Sequence, residues 1–379
     1  MSAALVQSDH VRRILAARGP FASVYFDDSH DATDSARRLD VKCGDILREL
    51  ESLGAGAALV SAVERAVLGA RPPAGPSGRG LIVTADWTVV GEHLPAPPAH
   101  SVVRVSELPY LVPLVDYWST PTTYLVVAID HLGADLSTFL GDRTRTETVE
   151  AGAYPVHAAG SAENYGFGAQ QHRVEEAIRR NVRAVADAVT ESYDRDAPEI
   201  VFVIGDDRVR AELASMLPER VAARLVRPRV GARHTGLDET VRQAMNLEFE
   251  NRRRDVVEDA TSRFRAESGR RSGLAAEGLT DVCAALREGA VATLILGDLG
   301  DETVVAGDEP ALIATDADAL SEFGAAPTRI LRADEAVPYA ALIGGAELVH
   351  DESIDLRDGV AAVLRFAVAP LDTRTEGRR

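Results

Sequence analysis

Residues 123–140, TYLVVAIDHLGADLSTFL, hold two apolar runs folded about a short turn near Gly133. A third apolar run, EIVFVIGDD at 199–207, returns only after a long helical stretch. Strands of this kind are buried on both faces, so helices must cover them, and the order strand, strand, helix, strand implies an α/β layer structure. Within the helical stretch, Val174, Ile178, Val182, Val185 and Val189 form an apolar stripe. Arg173, Arg179, Arg180 and Arg183 fall mostly on other faces.

The flanking segments alternate in the same way. The first opens with a helical stretch and the strand FASVYFDD, followed by helical spacing over Asp34–Ser52 and Ala57–Ala70. RPPAGPSGRG (71–80) is a loop by composition, and GLIVTADWTVVGEHL reads as two strands about a turn at Ala85-Asp86. The third begins with a long helix from Leu237 to about Glu267. GLTDVCAALREGAVATLILG then reads as a helix stopped at Gly289 and a strand. A strand at TVVAG, a helix at AVPYAALIGGAEL and a strand at VAAVLRF complete a second α/β sandwich. The chain is therefore expected to have three domains: 1–119, 120–234 and 235–379, the last ending in a flexible tail.

Composition narrows the function. The chain has 379 residues, 46% hydrophobic and 26% charged, which reads as globular. Its net charge of −18 weakens nonspecific affinity for polyanions, so any nucleic-acid contact must come from local arginine patches. Lys42 is the only lysine. Cys43 and Cys283 fit no CxxC spacing and argue against structural zinc. No signal peptide or membrane span is visible, so the expected location is the cytoplasm, with no membrane or DNA partner. No phosphate-binding, dinucleotide or common hydrolase motif is present, and no cofactor is expected.

GLAAEGLTDVCAALREGAVATLILG, followed by LRDGVAAVLRF, resembles the C-terminal domain of the archaeo-eukaryotic class I release factor and Pelota superfamily. The shared residues are Ala285-Leu286, Gly289-Ala290-Val291, Thr293-Leu294 and the closing strand from Gly359 to Phe366. VVAIDHLGADL is also similar to that family, and the likeness spans roughly residues 120 to 370. GPFASVYFDDSHD and YPVH look like mycobacterial members of the Balon group of ribosome hibernation factors. The resemblance implies an N-terminal α/β domain, an RNase H-like middle domain and a ribosomal-protein-L7Ae-like α/β/α sandwich. It further implies a protein that occupies the A site of idle ribosomes and contacts rRNA of both subunits. The first domain would face the decoding centre and a loop at 150–172 the peptidyl transferase centre. Elongation factor Tu and stalk-base proteins would be the third domain's partners. No stop-codon-reading Asn-Ile-Lys-Ser motif is present.

In context, Gly168-Ala169-Gln170 matches the superfamily's catalytic Gly-Gly-Gln, with alanine in place of the second glycine. Tandem glycine permits backbone angles that a Cβ penalises. The expectation is therefore a binding loop without chemistry, the alternative being Gln170 as the catalytic residue of peptidyl-tRNA hydrolysis. Tyr154, His157, Asn164, Tyr165, Phe167, Gln170, Gln171 and His172 are types that stack on and hydrogen-bond to unpaired bases. Arg173, Arg179, Arg180 and Arg183 would neutralise phosphates. The plainer reading is a solvated face paired with Glu175, Glu176 and Asp187. Arg71 and Arg79 are candidates for contacts near the decoding centre, against the plainer reading of an ordinary linker.

Other acidic and basic groups have plainer readings. Asp27, Asp28, His30, Asp31 and Asp34 lack the glycine and terminal glutamate of an ion loop, so no metal is expected. Asp130, Asp206 and Asp207 at strand ends offer a metal-dependent RNA nuclease as a further alternative, although acids there serve commonly as turn and cap residues. RRR at 252–254 with Arg263, Arg265, Arg270 and Arg271 is diluted by acids and reads as a solvated helix. GDLGDETVVAGDE lacks the EF-hand order and reads as a surface turn.

Overall fold

The computed structural model describes residues 9–29, 35–69, 77–94, 96–118, 123–140, 143–150, 167–228 and 239–368. The chain is mixed α/β and packs as two compact units, one of Met1–Ser119 with Arg253–Arg379 and one of Thr120–Arg252.

The first unit begins with helix α1 (Asp9–Ala16), strand β1 (Phe21–Asp27) and helices α2 (Ser35–Ser52) and α3 (Ala57–Gly69). Strands β2 (Gly78–Val83), β3 (Thr88–Leu94) and β4 (Val102–Ser106) and helix α4 (Val112–Trp118) follow. The sheet runs β3-β2-β1-β4 and is antiparallel throughout. β1 alternates its side chains between two cores. Ala22, Val24 and Phe26 pack with Leu50, Leu59 and Val63 of α2 and α3, while Phe21 and Tyr25 join the core containing Ile14, Leu111 and Val115 of the α1 and α4 region. Burial on both faces explains why the strand is nearly all apolar.

The second unit is built on β5 (Thr123–Ile129), β6 (Gly133–Leu140), β7 (Arg143–Glu150), helix α5 (Phe167–Asp196) and β8 (Ile200–Gly205). Helices α6 (Asp207–Met216) and α7 (Glu219–Ala222), strand β9 (Leu225–Val226) and helix α8 (Glu239–Arg270) follow. Its sheet has the order β7-β6-β5-β8-β9, with β5 antiparallel to β6 and parallel to β8. Three antiparallel strands extended by two parallel ones are the arrangement expected of an RNase H-like sheet. Leu125, Val127 and Val203 pack under Val182, Val185 and Val189 of α5. Val126, Phe202 and Ile204 pack on the other face with Val241 and Met245 of α8.

From Arg253 the chain belongs to the first unit again. It continues as β10 (Ala275–Glu277), α9 (Leu279–Arg287), β11 (Val291–Leu296), β12 (Thr303–Ala306), β13 (Ile313–Ala314) and α10 (Ala317–Glu322). β14 (Arg329–Arg332), α11 (Ala333–Ile343), β15 (Glu347–His350) and β16 (Val360–Leu364) close it. The main sheet here is β10-β16-β11-β15. On one face Leu294, Leu296 and Ala362 meet Val282 of α9 and Val337 of α11. On the other, Ile295, Val349 and Ala361 meet Ala260 and Phe264 of α8. That is an α/β/α sandwich, with a separate small sheet, β13-β12-β14, beside it. Gly289 stops α9 as the sequence predicts, at φ +65. The Ala290 N–H reaches back 2.9 Å to the Ala285 carbonyl, satisfying a carbonyl that the helix end leaves free.

One apolar core joins the first and third segments, containing Ile14, Tyr25, Leu111 and Val115 together with Val337 and Ala341. Ion pairs stand beside it. Arg104 Nη1 lies 2.9 Å from Asp334 Oδ2 and 3.3 Å from Glu335 Oε1, with its guanidinium 3.6 Å from the centre of the Tyr110 ring. Burial raises the Glu335 carboxyl pKa, against the opposing pull of the Ser106 hydrogen bond and the Arg104 charge. His350 Nδ1 lies 3.1 Å from Asp116 Oδ1, which is also 3.4 Å from Arg253 Nη1.

Candidate nucleic-acid interface

Helix α5 carries most of the expected interface, and its seating is specific. Val182, Val185 and Val189 are buried as the stripe predicts. Asn181 interrupts that stripe and is buried too, donating from Nδ2 to the His131 carbonyl at 2.9 Å. A buried amide needs such a partner, and here the bond ties α5 to the turn between β5 and β6. Thr138 and Ser192 hydroxyls meet at 3.2 Å in the interior. Near the end of the helix, Arg195 Nη2 bonds Glu147 Oε1 on β7 at 2.7 Å, and Arg145 pairs with Asp196. An amide inside an apolar stripe is the sequence signal for this anchoring.

The outward face holds the basic groups. Arg179, Arg180 and Arg183 are exposed. Arg179 Nε lies 3.7 Å from Glu212 Oε1 of α6. Arg180 and Arg183 make no ion pair with a described residue, so among the described side chains the pairing with Glu175, Glu176 and Asp187 that the plainer reading requires is not formed. Positions 173, 180 and 183 share one side of the helix by spacing, along roughly 15 Å of axis.

The helix begins at Phe167, so Gly168, Ala169 and Gln170 form part of its first turn. The irregular stretch expected to reach Gly168 ends sooner, and residues 167–172 of the expected loop have helical backbone. Tyr154, His157, Asn164 and Tyr165 lie outside the described residues, as do the side chains of Phe167, Gln170, Gln171, His172 and Arg173. Arg71 lies outside them as well.

Arg79 requires a correction. It is 1% exposed, in the interior of the first unit, and offers nothing to an external phosphate. Antiparallel pairing sets it opposite Phe26, beside Asp28, and its Nη2 forms an ion pair with Asp28 Oδ2. Nη1 donates to the Val67 carbonyl at 2.6 Å and the Ala66 carbonyl at 3.4 Å. The guanidinium thus caps the last turn of α3, where the helix dipole favours a cation.

The acidic candidates also have structural employment. Asp130 Oδ1 accepts from the Leu132 and Gly133 amides at 2.7 and 2.9 Å, closing the β5–β6 turn. Asp206 caps α6 by accepting from the Arg208 amide at 2.9 Å, and Asp207 pairs with Arg210. Parallel register brings Asp130 and Asp206 to neighbouring strand ends, where each is taken up by its own turn or cap. Asp27 accepts from Ser29 and, at 2.9 Å, from Lys42. Partial burial pulls its carboxyl pKa upward, but the Ser29 and Lys42 hydrogen bonds prevail and hold it at about 2. His30, Asp31 and Asp34 lie outside the described residues. Among the described residues no group of His, Cys, Asp and Glu could hold a metal ion, and no helix is long and apolar enough to cross a membrane. The arginine run on α8 is largely paired, Arg252 with Glu248 at 2.9 Å, Arg263 with Asp259 at 3.7 Å and Arg270 with Glu267 at 3.1 Å.

Residues 123–270 match the model of bacterial archaeo-eukaryotic release factor family 2. Two Mycobacterium tuberculosis proteins, Rv2629 of strain H37Rv and MT2704 of strain CDC 1551, are each 46% identical over 364 residues, covering 96% of this chain and 97% of theirs. The chain belongs to one family with these two mycobacterial proteins, and residues 123–270 carry its likeness to the bacterial archaeo-eukaryotic release factors. Among solved structures, archaeal translation termination factor aRF1 is 17% identical, with 94% of this chain and 97% of that one covered, at a TM-score of 0.25. A chain of the ribosome-bound archaeal Pelota and ABCE1 structure is 16% identical, with 95% and 94% covered, at 0.40. Gly168-Ala169-Gln170 of this chain sits inside a helix.

Proposed function

We propose that this chain is a cytoplasmic ribosome-binding hibernation or protection factor that occupies the vacant A site through rRNA contacts and releases no peptide. The observation that supports it is the helical first turn of α5 at Gly168-Ala169-Gln170. A glutamine that positions water for ester hydrolysis must be held by a backbone of fixed geometry, and a displacement of about 1 Å can cost roughly 100-fold in rate. Right-handed helical φ needs no second glycine and suits alanine best. The residue that departs from the Gly-Gly-Gln pattern is therefore the one a helix prefers. Arg180 and Arg183, exposed and unpaired with any described residue, supply phosphate contacts on the same helix. Elongation factor Tu and stalk-base proteins are the further partners this reading carries.

The test combines binding and release. The purified chain is sedimented with vacant bacterial ribosomes, with and without tRNA in the A site, across a salt series. In parallel, peptidyl-tRNA hydrolysis is measured for the wild type and Gln170→Ala. Salt-sensitive binding abolished by tRNA, with no hydrolysis by either protein, is the expected result. Hydrolysis by the wild type that Gln170→Ala removes would establish a release or rescue factor instead. Failure to bind ribosomes at all would sink the reading.

A further inference from the structure

Residues 297–328 contain eight acidic residues and no lysine, arginine or histidine. All eight are exposed: Asp298, Asp301, Glu302, Asp308, Glu309, Asp316, Asp318 and Glu322. They surround the small sheet β13-β12-β14 rather than converging on a point, and none belongs to a group able to hold a metal ion. Residues 235–379 as a whole hold 28 acidic and 16 basic residues, a net −12 of the chain's −18.

The small sheet has an inner and an outer face. Val304 and Ala306 are buried in the core. Val305 and Ile330 stand opposite one another in register, and side chains opposite one another in a ladder share a face. That face is the outer one: Ile330 is 75% exposed, the most exposed large apolar side chain among the described residues. It lies on β14, which among the described residues pairs only with β12 and so leaves its other edge open. Open edges are ordinarily guarded by lysine, proline or an inward charge. On β14 the charges are Arg329 and Arg332, both paired with acids, and between them Ile330 leaves a β-branched side chain bare.

Charge selects what covers this face. Nucleic acid is disfavoured: the nearby cations are already engaged, Arg332 by Asp301 and Asp334 and Arg329 by Glu107 and the Gly307 and Asp308 carbonyls, so phosphates would meet an excess of carboxylates. A second copy of the chain would bring the same carboxylates against themselves. A cationic protein surface satisfies both features: an apolar contact at Ile330 and Val305, ringed by basic groups that meet the acids. We infer that the outer face of the β12–β14 sheet docks a lysine- and arginine-rich protein surface of the ribosome, with Ile330 as its apolar anchor. This rests on the ribosome-binding reading above, and assigns the third segment a protein contact where α5 makes RNA contacts.

The experiment uses the full chain and purified vacant ribosomes. A photo-crosslinking residue replaces Ile330, and Ile330→Glu is compared with the wild type by co-sedimentation and thermal unfolding. Crosslinking to a ribosomal protein is expected, with unchanged unfolding and about tenfold weaker binding for Ile330→Glu, the scale of losing one anchor. Should the wild type sediment with ribosomes while position 330 crosslinks rRNA or nothing, or should Ile330→Glu bind like the wild type, this inference is overturned and the ribosome-binding reading stands. If the wild type fails to sediment, both fall.

Discussion

Replacing Arg79 with methionine tests whether the residue belongs to the core or to an external interface. In the native chain the Arg79 and Asp28 side chains are each 1% exposed and pair with one another. Methionine keeps much of the apolar stem but leaves Asp28 charged, buried and without its cation. It also removes the donor that the Ala66 and Val67 carbonyls share. Breaking a buried pair from one side costs about 3–5 kcal/mol. Replacing both members, Asp28→Asn with Arg79→Met, removes the stranded charge, so the double variant should recover about half of that loss or more. Urea unfolding followed by tryptophan fluorescence reads this directly, because Trp87 and Trp118 are the chain's two tryptophans and both belong to the first unit. Ribosome co-sedimentation below the unfolding transition should be unaltered. A destabilisation under about 1 kcal/mol, typical of exposed pairs, would refute the buried assignment. So would a double variant whose loss is the sum of the two single ones.

Other outcomes follow from the same geometry. Arg180→Ala with Arg183→Ala should weaken ribosome binding and flatten its logarithmic salt dependence by about 0.7–0.9 per arginine, measured by sedimentation from low to high salt. Asn181→Ala should destabilise the second unit by about 1 kcal/mol, seen as faster amide exchange in α5 and the β5–β6 turn. The Asp27 carboxyl, lowered from 3.8 to about 2 by folding, contributes stability above pH 3.8 that is lost as pH falls toward 2. Lys42→Ala should therefore shrink the stability difference between pH 4 and pH 2, with only a modest effect expected because the pair is half exposed.

Strand and helix order was legible because burial leaves a period in the sequence. Val126 and Val127 face different cores, so their strand reads as continuously apolar, and Gly289 announces its helix end by being the residue that tolerates φ +65. Arg79 was not legible. Its loop-like neighbours RPPAGPSG suggested solvent, whereas its environment is set by antiparallel register with a strand some fifty positions earlier. The common core of the first and third segments was equally hidden. Each segment's apolar face looks complete in its own pattern, and nothing local says that Leu111 and Val115 share a core with Val337. On α5 the basic and apolar faces were readable, but helical backbone at Gly168-Ala169-Gln170 ran against the loop that the family likeness implied.

The first unit is discontinuous in the chain, interrupted by residues 120–252. A polypeptide emerging from a translating ribosome therefore displays Phe21, Tyr25, Leu111 and Val115 long before Val337 and Ala341 exist to cover them. At about 5–20 residues per second, the intervening stretch alone imposes a delay on the order of 10 s. During that interval the nascent N-terminal layer is an incomplete fold with an open apolar side, the form in which chains recruit chaperones or aggregate. Synthesis rate and chaperone supply should accordingly govern the yield of this protein more than its final stability does.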